Sequence, residues 1–260
     1  MKVTNWRKKL AAAIVAAGIW VPGVAEAANI VVPDGDFGTY SVPSRGYAYA
    51  ADPLGAYRPT SPWVDDLSHN SGNYIQDNGS SNWLYNTTYA TAYNRATPRS
   101  DSQAMHGLAR YSAQVLTGAG TTFEAGQTYT LTVWAQDDRP IPAVLPNTTQ
   151  FPTGVFMYLF DGSAPFSDAT ALAKITHDGS VINDRPPSMS AADSKNNWTL
   201  LTLPSYTPTP DMVGKPIGIG FFVRRGTAID DVSLSSVPEP GSIILVGMSG
   251  LTLLGLRRRR

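Results

Sequence analysis

The stretch TYTLTVWA, residues 128–135, decides which fold the sequence predicts. Its side chains form two alternating sets, Tyr129, Leu131 and Val133 in one and Thr130, Thr132 and Trp134 in the other. Successive side chains of a β-strand point to opposite faces of a sheet, so this alternation is typical of a half-buried strand. We therefore predict a strand here, with the mainly apolar set turned toward a core.

Four further segments have the length and composition of strands, and each ends at Gly, Pro or Asp. They are Val155–Phe160, Trp198–Leu203, Ile217–Val223 and Ala228–Leu234. The chain contains 20 prolines and 23 glycines, which interrupt it too often for long helices. No internal repeat or linker divides residues 29–236, so the sequence predicts one all-β domain, a β-sandwich, over residues 28–236.

Five motifs, spread in order over residues 34–234, carry a family resemblance. They are Asp34-Gly35-Asp36-Phe37 near the start, Ala113–Leu116 and Phe123–Leu131 in the middle, and Trp198 and Ala228–Leu234 at the end. Each resembles a piece of the jelly-roll sandwich shared by galactose-binding-like domains and carbohydrate-binding modules. The resemblance implies a jelly-roll β-sandwich but says little about ligand specificity, because one fold carries many functions.

The first and last of these motifs contain four aspartates, Asp34, Asp36, Asp230 and Asp231. In the family that the motifs resemble, the first and last strands are neighbours, and their oxygen atoms can hold a structural calcium ion. Calcium takes about six to eight oxygen ligands, which suits carboxylates. Gly38 stands where the family usually has a glutamate, which removes one ligand. We expect either a calcium site here or aspartates that cap turns at the strand ends.

A candidate ligand-binding surface comes from the aromatic residues of the region 40–93, which are irregularly interspersed with Asn and Asp. The candidates are Tyr57, Trp63, Tyr74, Trp83 and Tyr85. Aromatic faces suit the C–H surfaces of pyranose rings, and the irregular pattern predicts loops, which are common binding surfaces. Alternatively, these rings fill small cores of their own beneath long loops. Trp134 and Trp198 lie within strand patterns, so we expect them in the core.

The first 27 residues have the three parts of a secretion signal. A basic start, Lys2–Lys9, precedes an apolar run, Leu10–Val21, and Ala25-Glu26-Ala27 then offers small residues to a signal peptidase. We predict a signal peptide over residues 1–27. The alternative is a buried N-terminal helix.

The last residues combine an apolar span with a basic end. Ile243–Leu256 contains no charged residue, and as a helix its 14 residues would span roughly 21 Å, short of the ~30 Å hydrocarbon core of a bilayer. The four arginines Arg257, Arg258, Arg259 and Arg260 follow it directly and favour a cytoplasmic C-terminus. The sequence therefore predicts a short transmembrane helix that holds the exported domain at the inner membrane.

A six-residue motif precedes this span: Val237-Pro238-Glu239-Pro240-Gly241-Ser242. Motif, span and arginines in this order, over residues 237–260, resemble the PEP-CTERM sorting signal of Gram-negative bacteria. The resemblance implies recognition by an exosortase, a membrane processing enzyme, and transfer of the domain to the cell surface or the extracellular matrix. Proline on both sides of Glu239 keeps the segment extended, which suits processing. The alternative is a plain C-terminal anchor with a proline-rich stem.

Charge and missing motifs argue against several classes of function. Residues 29–240 carry 12 Lys and Arg against 19 Asp and Glu, a net charge of −7, which disfavours nucleic acid as a partner. The chain has no cysteine, hence no disulfide or thiolate metal site. The G-x-S-x-G and H-E-x-x-H motifs are absent, and the three histidines are far apart in sequence. We predict no catalytic residues.

The sequence thus favours an exported, non-enzymatic jelly-roll protein that is sorted through its C-terminal signal and binds polysaccharide. It predicts no cofactor beyond the calcium considered above. One alternative is a structural matrix protein without a ligand pocket, associated with exopolysaccharide. Another is an extracellular enzyme that processes glycans.

Overall fold

The computed structural model describes residues 27–37, 47–49, 63, 83–86, 90, 96–99, 103–107, 110–138, 153–164, 166, 171–182, 189–224 and 226–239. The chain divides into two compact units, one of residues Asn29–Ser236 and one that combines Met1–Ala28 with Val237–Arg260. The predicted signal peptide, apart from Ala27, and the predicted span and arginines of residues 243–260 lie outside the described residues. No helix that the structure describes is long and apolar enough to cross a membrane.

Within these residues lie eleven β-strands and one short helix. The strands are β1 (Ala28–Ile30), β2 (Tyr47–Tyr49), β3 (Trp83–Asn86), β4 (Gln103–His106), β5 (Arg110–Val115), β6 (Gln127–Asp137), β7 (Gly154–Asp161), β8 (Ala171–Asp178), β9 (Thr199–Thr202), β10 (Ile217–Val223) and β11 (Thr227–Pro238). The helix, α1, is Ala191–Ser194, and the Ser190 side chain caps it by accepting a hydrogen bond from the backbone N–H of Asp193.

The strands form two sheets. Sheet A has seven strands in the order β2-β3-β4-β11-β6-β9, with β1 also paired to β11. Sheet B has four strands in the order β5-β10-β7-β8, and its neighbours pair antiparallel. The predicted all-β sandwich is confirmed, since almost everything described is strand or turn.

The five segments predicted as strands are strands in the structure, namely β6, β7, β9, β10 and β11. The region 40–93 differs from the prediction of loops, because its described residues include the strands β2 and β3. These two strands pair with each other, Tyr47 opposite Tyr85 and Tyr49 opposite Trp83. Aromatic residues favour strands, and this preference outweighs the irregular local pattern.

The main core lies between the two sheets. Leu131 and Val133 of β6 face Met157 of β7 and Phe221 of β10, and all four are fully buried. These positions follow the predicted alternation along β6, whereas the partly buried Trp134 lies on the outer face of sheet A.

Two glycines of β10 differ in the space around them. A Cβ atom on Gly218 would lie 2.4 Å from the ring of Phe160, which is itself buried. A Cβ atom on Gly220 would lie 3.4 Å from the ring of Phe166, an ordinary contact. Gly218 is therefore required by close packing, and Gly220 is not.

We expect Gly218→Ala to lower the free energy of unfolding by about 1 to 3 kcal/mol, because the added methyl group overpacks the contact with Phe160. Gly220→Ala is the matched control on the same strand and should be neutral or slightly stabilising. Urea unfolding of both variants checks this. Equal effects of the two substitutions would contradict the conclusion that close packing requires Gly218 but not Gly220.

Candidate functional site

The turn that follows β1 is attached to β11. Asp34 and Phe37 adopt left-handed backbone conformations, with φ of 52° and 54°. The carbonyl oxygen of Gly35 accepts a hydrogen bond of 2.8 Å from the backbone N–H of Val232. A Cβ atom on Gly35 would lie 2.7 Å from the carbonyl oxygen of Val232, so only glycine permits this approach.

An open cleft of about 450 Å³ lies at this junction. Residues of the segment after β1 and of β11 line it: Val32, Asp34, Gly35, Asp36, Asp231, Val232 and Ser233. The structure thus brings together three of the four aspartates that the sequence singled out, Asp34, Asp36 and Asp231. The fourth, Asp230, does not line the cleft.

Asp230 is fully buried, and backbone N–H groups use both of its carboxylate oxygens. Its Oδ1 accepts from the N–H of Asp231 and its Oδ2 from the N–H of Arg99, each at 2.8 Å. Asp231 has φ of 48°, and Ile229 and Val232 on either side of this pair both reach the core. The chain therefore contains one extra residue here, as in a β-bulge.

The guanidinium group of Arg99 forms an ion pair with the carboxylate of Asp231. It also lies over the ring of Trp134 on β6, with its carbon atom 4.0 Å from the ring centroid. A cation over the face of an aromatic ring is attracted by the charge distribution of the ring. Arg99 therefore contacts both β6 and β11.

The predicted calcium site does not fit these residues. Calcium requires about six oxygens or more, but Asp230 is occupied by N–H donors and Asp231 by Arg99. Among the described residues, which include all four aspartates, no group of three or more acidic or histidine side chains is placed to hold a metal ion. The cleft thus has an acidic lining without a metal-binding arrangement.

Trp63, expected as an exposed ligand contact, lies in the core instead. It is 1% exposed, and its ring packs against Phe37 and Phe221 at centroid distances of 5.6 and 5.8 Å. Its indole N–H donates a hydrogen bond of 3.1 Å to the carbonyl oxygen of Asp34. The ring is therefore unavailable to a sugar, and it supports the turn after β1 from within.

The other aromatic candidates are only partly described. Trp83 and Tyr85 lie on β3, but their side chains, like the whole of Tyr57 and Tyr74, are outside the described residues. The prediction that they contact a ligand remains a prediction. Trp198 is 6% exposed, as expected of a core residue.

The outer face of sheet B carries a second group of aromatic rings, which we call the aromatic face. It consists of Tyr111, Phe156, Tyr158, Phe160, Phe166 and Phe222. Three of the rings form a row across β5, β10 and β7, with centroids 4.8 Å apart between Tyr111 and Phe222 and 5.4 Å apart between Phe222 and Phe156. Tyr111 and Phe156, at the ends of this row, are partly exposed.

Polar side chains border the aromatic face. Lys174 and Thr176 lie opposite Tyr158 and Phe156 on the neighbouring strand β8. The guanidinium carbon of Arg224 lies 5.0 Å from the centroid of the Phe156 ring. Among the residues that the structure describes, the buried Nε–H group of Arg224 has no hydrogen-bond partner. Because this nitrogen is buried, an oxygen atom of a ligand reaches it only if the Arg224 side chain shifts outward.

Asp178, at the end of β8, adds a negative charge to this border. Hydrogen bonds from the hydroxyl and the backbone N–H of Ser180 lower the pKa of its carboxyl group, and the positive charge of Arg224 lowers it further. Asp178 is therefore ionised at neutral pH and able to accept hydrogen bonds.

The sequence contained a signal for the aromatic face that the prediction did not use. In β7 the residues on one face, Val155, Met157 and Leu159, are apolar, and so are those on the other, Phe156, Tyr158 and Phe160. A strand that is apolar on both faces needs a hydrophobic environment on each. The second environment is the aromatic face.

A buried pair, His106 and Asp138, lies at the end of sheet A. Nδ1 of His106 is 2.7 Å from Oδ2 of Asp138, and Oδ1 of Asp138 accepts a hydrogen bond of 2.8 Å from the backbone N–H of Ala96. Nearby, the backbone of Thr97 receives a hydrogen bond from Trp198 and donates one to Ser194. These contacts fix the segment 96–99, and with it Arg99, on sheet A.

No protein-family model and no curated protein sequence matches the chain. Solved structures do resemble it. A Stig cyclase, FisC of Fischerella sp. TAU, in complex with an indole derivative, superimposes with a TM-score of 0.52 at 16% identity, over 82% of this chain and 100% of the cyclase.

Two carbohydrate-binding modules are also among the solved structures that match parts of the chain. The C-terminal CBM6 of LamC, a laminarinase of Zobellia galactanivorans, matches with a TM-score of 0.27 at 11% identity, over 52% of this chain and 80% of the module. The xylan-binding module CBM15 matches with a TM-score of 0.30 at 12% identity, over 54% and 79%. At 16% identity, the likeness to the cyclase shows a shared fold and nothing about activity.

Because Trp63 is a core residue, we expect Trp63→Ala to lower the free energy of unfolding by roughly 3 to 5 kcal/mol through the cavity that it leaves. Leu200→Ala is the control, since Leu200 is 47% exposed and its truncation should change stability little. Urea unfolding measures both. A Trp63 variant as stable as the wild type would place this ring at the surface.

Proposed function

We propose that the protein binds polysaccharide, without catalysis, through the aromatic face of sheet B. The observation that supports this is the row of Tyr111, Phe222 and Phe156 beside the guanidinium group of Arg224, whose Nε–H lacks a partner among the described residues. Binding sites for small organic ligands combine apolar and aromatic surface with a few polar groups that fix orientation. The aromatic face has both.

In the proposed complex the partly exposed rings of Tyr111 and Phe156 contact the C–H surfaces of sugar rings. Arg224 donates hydrogen bonds to sugar hydroxyl oxygens, and the ionised carboxylate of Asp178 accepts hydrogen bonds from sugar hydroxyls. Lys174 and Thr176 extend the polar border along β8. A chain lying across the strands would meet apolar and polar groups in succession.

The proposal includes export and sorting. A signal peptide over residues 1–27 directs the chain across the inner membrane, and the span of residues 243–256 anchors it there for a time. An exosortase recognises the motif at residues 237–242 and releases or transfers the domain to the cell surface or the extracellular matrix. Mass spectrometry of the mature protein tests this part, since both terminal segments should be missing.

The proposed binding is tested on the purified full-length chain by affinity electrophoresis in gels that contain xylan, laminarin or the exopolysaccharide of the organism that makes the protein. We expect the double variant Tyr111→Ala with Phe156→Ala to bind at least about tenfold more weakly, a loss of about 1.4 kcal/mol, because both partly exposed rings are gone. Tyr111→Phe keeps the ring and should bind nearly as well as the wild type.

Leu200→Ala, an exposed apolar residue on sheet A, is the control for nonspecific apolar contact. A circular dichroism spectrum of each variant verifies folding. Weakened binding in Trp83→Ala, but not in the double variant, would move the site to the region 40–93. A folded wild-type chain that binds none of the three polysaccharides would contradict the proposal and favour a structural matrix protein. Release of smaller sugars from the gel polysaccharide would favour the alternative that the protein is an enzyme that processes glycans.

A further inference from the structure

Negative charge is concentrated where β11 meets the turn after β1. Asp230 and Asp231 are consecutive, and Asp34 and Asp36 lie across the cleft from Asp231. Asp230 is fully buried. A buried carboxylate is costly unless hydrogen bonds or a positive charge compensate it, so this arrangement requires donors or a cation.

Arg99 supplies both kinds of compensation. Its backbone N–H donates to the buried carboxylate of Asp230, and its guanidinium group pairs with the carboxylate of Asp231. One residue therefore interacts with both aspartates of the pair. A metal ion bound at the same oxygen, Oδ2 of Asp231, would have to displace this guanidinium group.

The position of Arg99 is fixed by contacts on several sides. The ring of Trp134 lies beneath its guanidinium group at 4.0 Å. The preceding residues are held by Asp138 at Ala96 and by Ser194 and Trp198 at Thr97. A side chain held in this way loses little additional entropy when it forms the ion pair, which makes the pair more favourable than a typical surface pair.

We propose that Arg99 provides the positive charge at the junction of β11 with the turn after β1, in place of a calcium ion. Arg99 joins β6, β11 and the segment 96–99, as a structural metal ion would join neighbouring segments. The protein is therefore stable without calcium, and the cleft does not bind calcium while Arg99 is present.

Thermal unfolding of the full-length chain in EDTA and in calcium chloride tests this proposal. The wild type should unfold at the same temperature in both buffers, and titration calorimetry with calcium chloride should show no binding. Arg99→Gln should unfold at least about 2 °C lower than the wild type in EDTA, because the charge is lost while much of the side-chain length remains. Arg99→Lys keeps the charge but loses the planar group. Its unfolding temperature should therefore lie between those of the wild type and Arg99→Gln.

A double-mutant cycle of Arg99→Gln with Asp231→Asn separates the ion pair from other roles of Arg99. If the pair matters, the double variant should unfold at a higher temperature than the sum of the two single losses predicts. A wild-type protein that loses stability in EDTA and regains it with calcium would overturn the proposal. Unchanged stability of Arg99→Gln would also overturn it, since the positive charge would then be dispensable.

Discussion

The structure depends on the way β11 is held. This strand lies between β4 and β6 within sheet A and also pairs with β1, so three segments from different parts of the chain take their position from it. The extra residue at Asp231 shifts which side chains face inward, and Ile229, Val232 and Leu234 all reach the core as a result. The left-handed conformation of Asp231 costs free energy, and its ion pair with Arg99 and the hydrogen bond from its N–H to Asp230 offset that cost.

The parts of the fold that the sequence predicted are those with a local signal. The alternation in residues 128–135 is a property of neighbouring residues, and β6 forms there with the predicted face in the core. The burial of Trp63 has no such signal, because it results from Phe37 and Phe221, which are distant in sequence. The irregular residues around Trp63 suggested an exposed loop, whereas the ring is needed to fill the space beneath the turn after β1.

The sequence predicted the candidate site only in part, because one deciding residue is distant in sequence from the aspartates. Their motifs correctly indicated that Asp34, Asp36 and Asp231 meet at one place, since the turn and β11 are adjacent. The residue that decides the chemistry there, Arg99, is 132 positions from Asp231 and belongs to none of the motifs. A resemblance that rests on acidic residues alone predicts a cation, but it does not distinguish a metal ion from a guanidinium group.

The two candidate surfaces differ in how many of their polar groups are already satisfied by the protein itself. At the cleft, Asp230 and Asp231 are paired with Arg99, so a ligand would have to replace existing bonds. At the aromatic face, the Nε–H of Arg224 is buried beside the partly exposed ring of Phe156, and no described residue provides an acceptor for it. A ligand oxygen that reached this donor would recover the cost of an unmade hydrogen bond. This difference favours sheet B for the proposed binding and agrees with the proposed structural role of Arg99 at the acidic junction on sheet A.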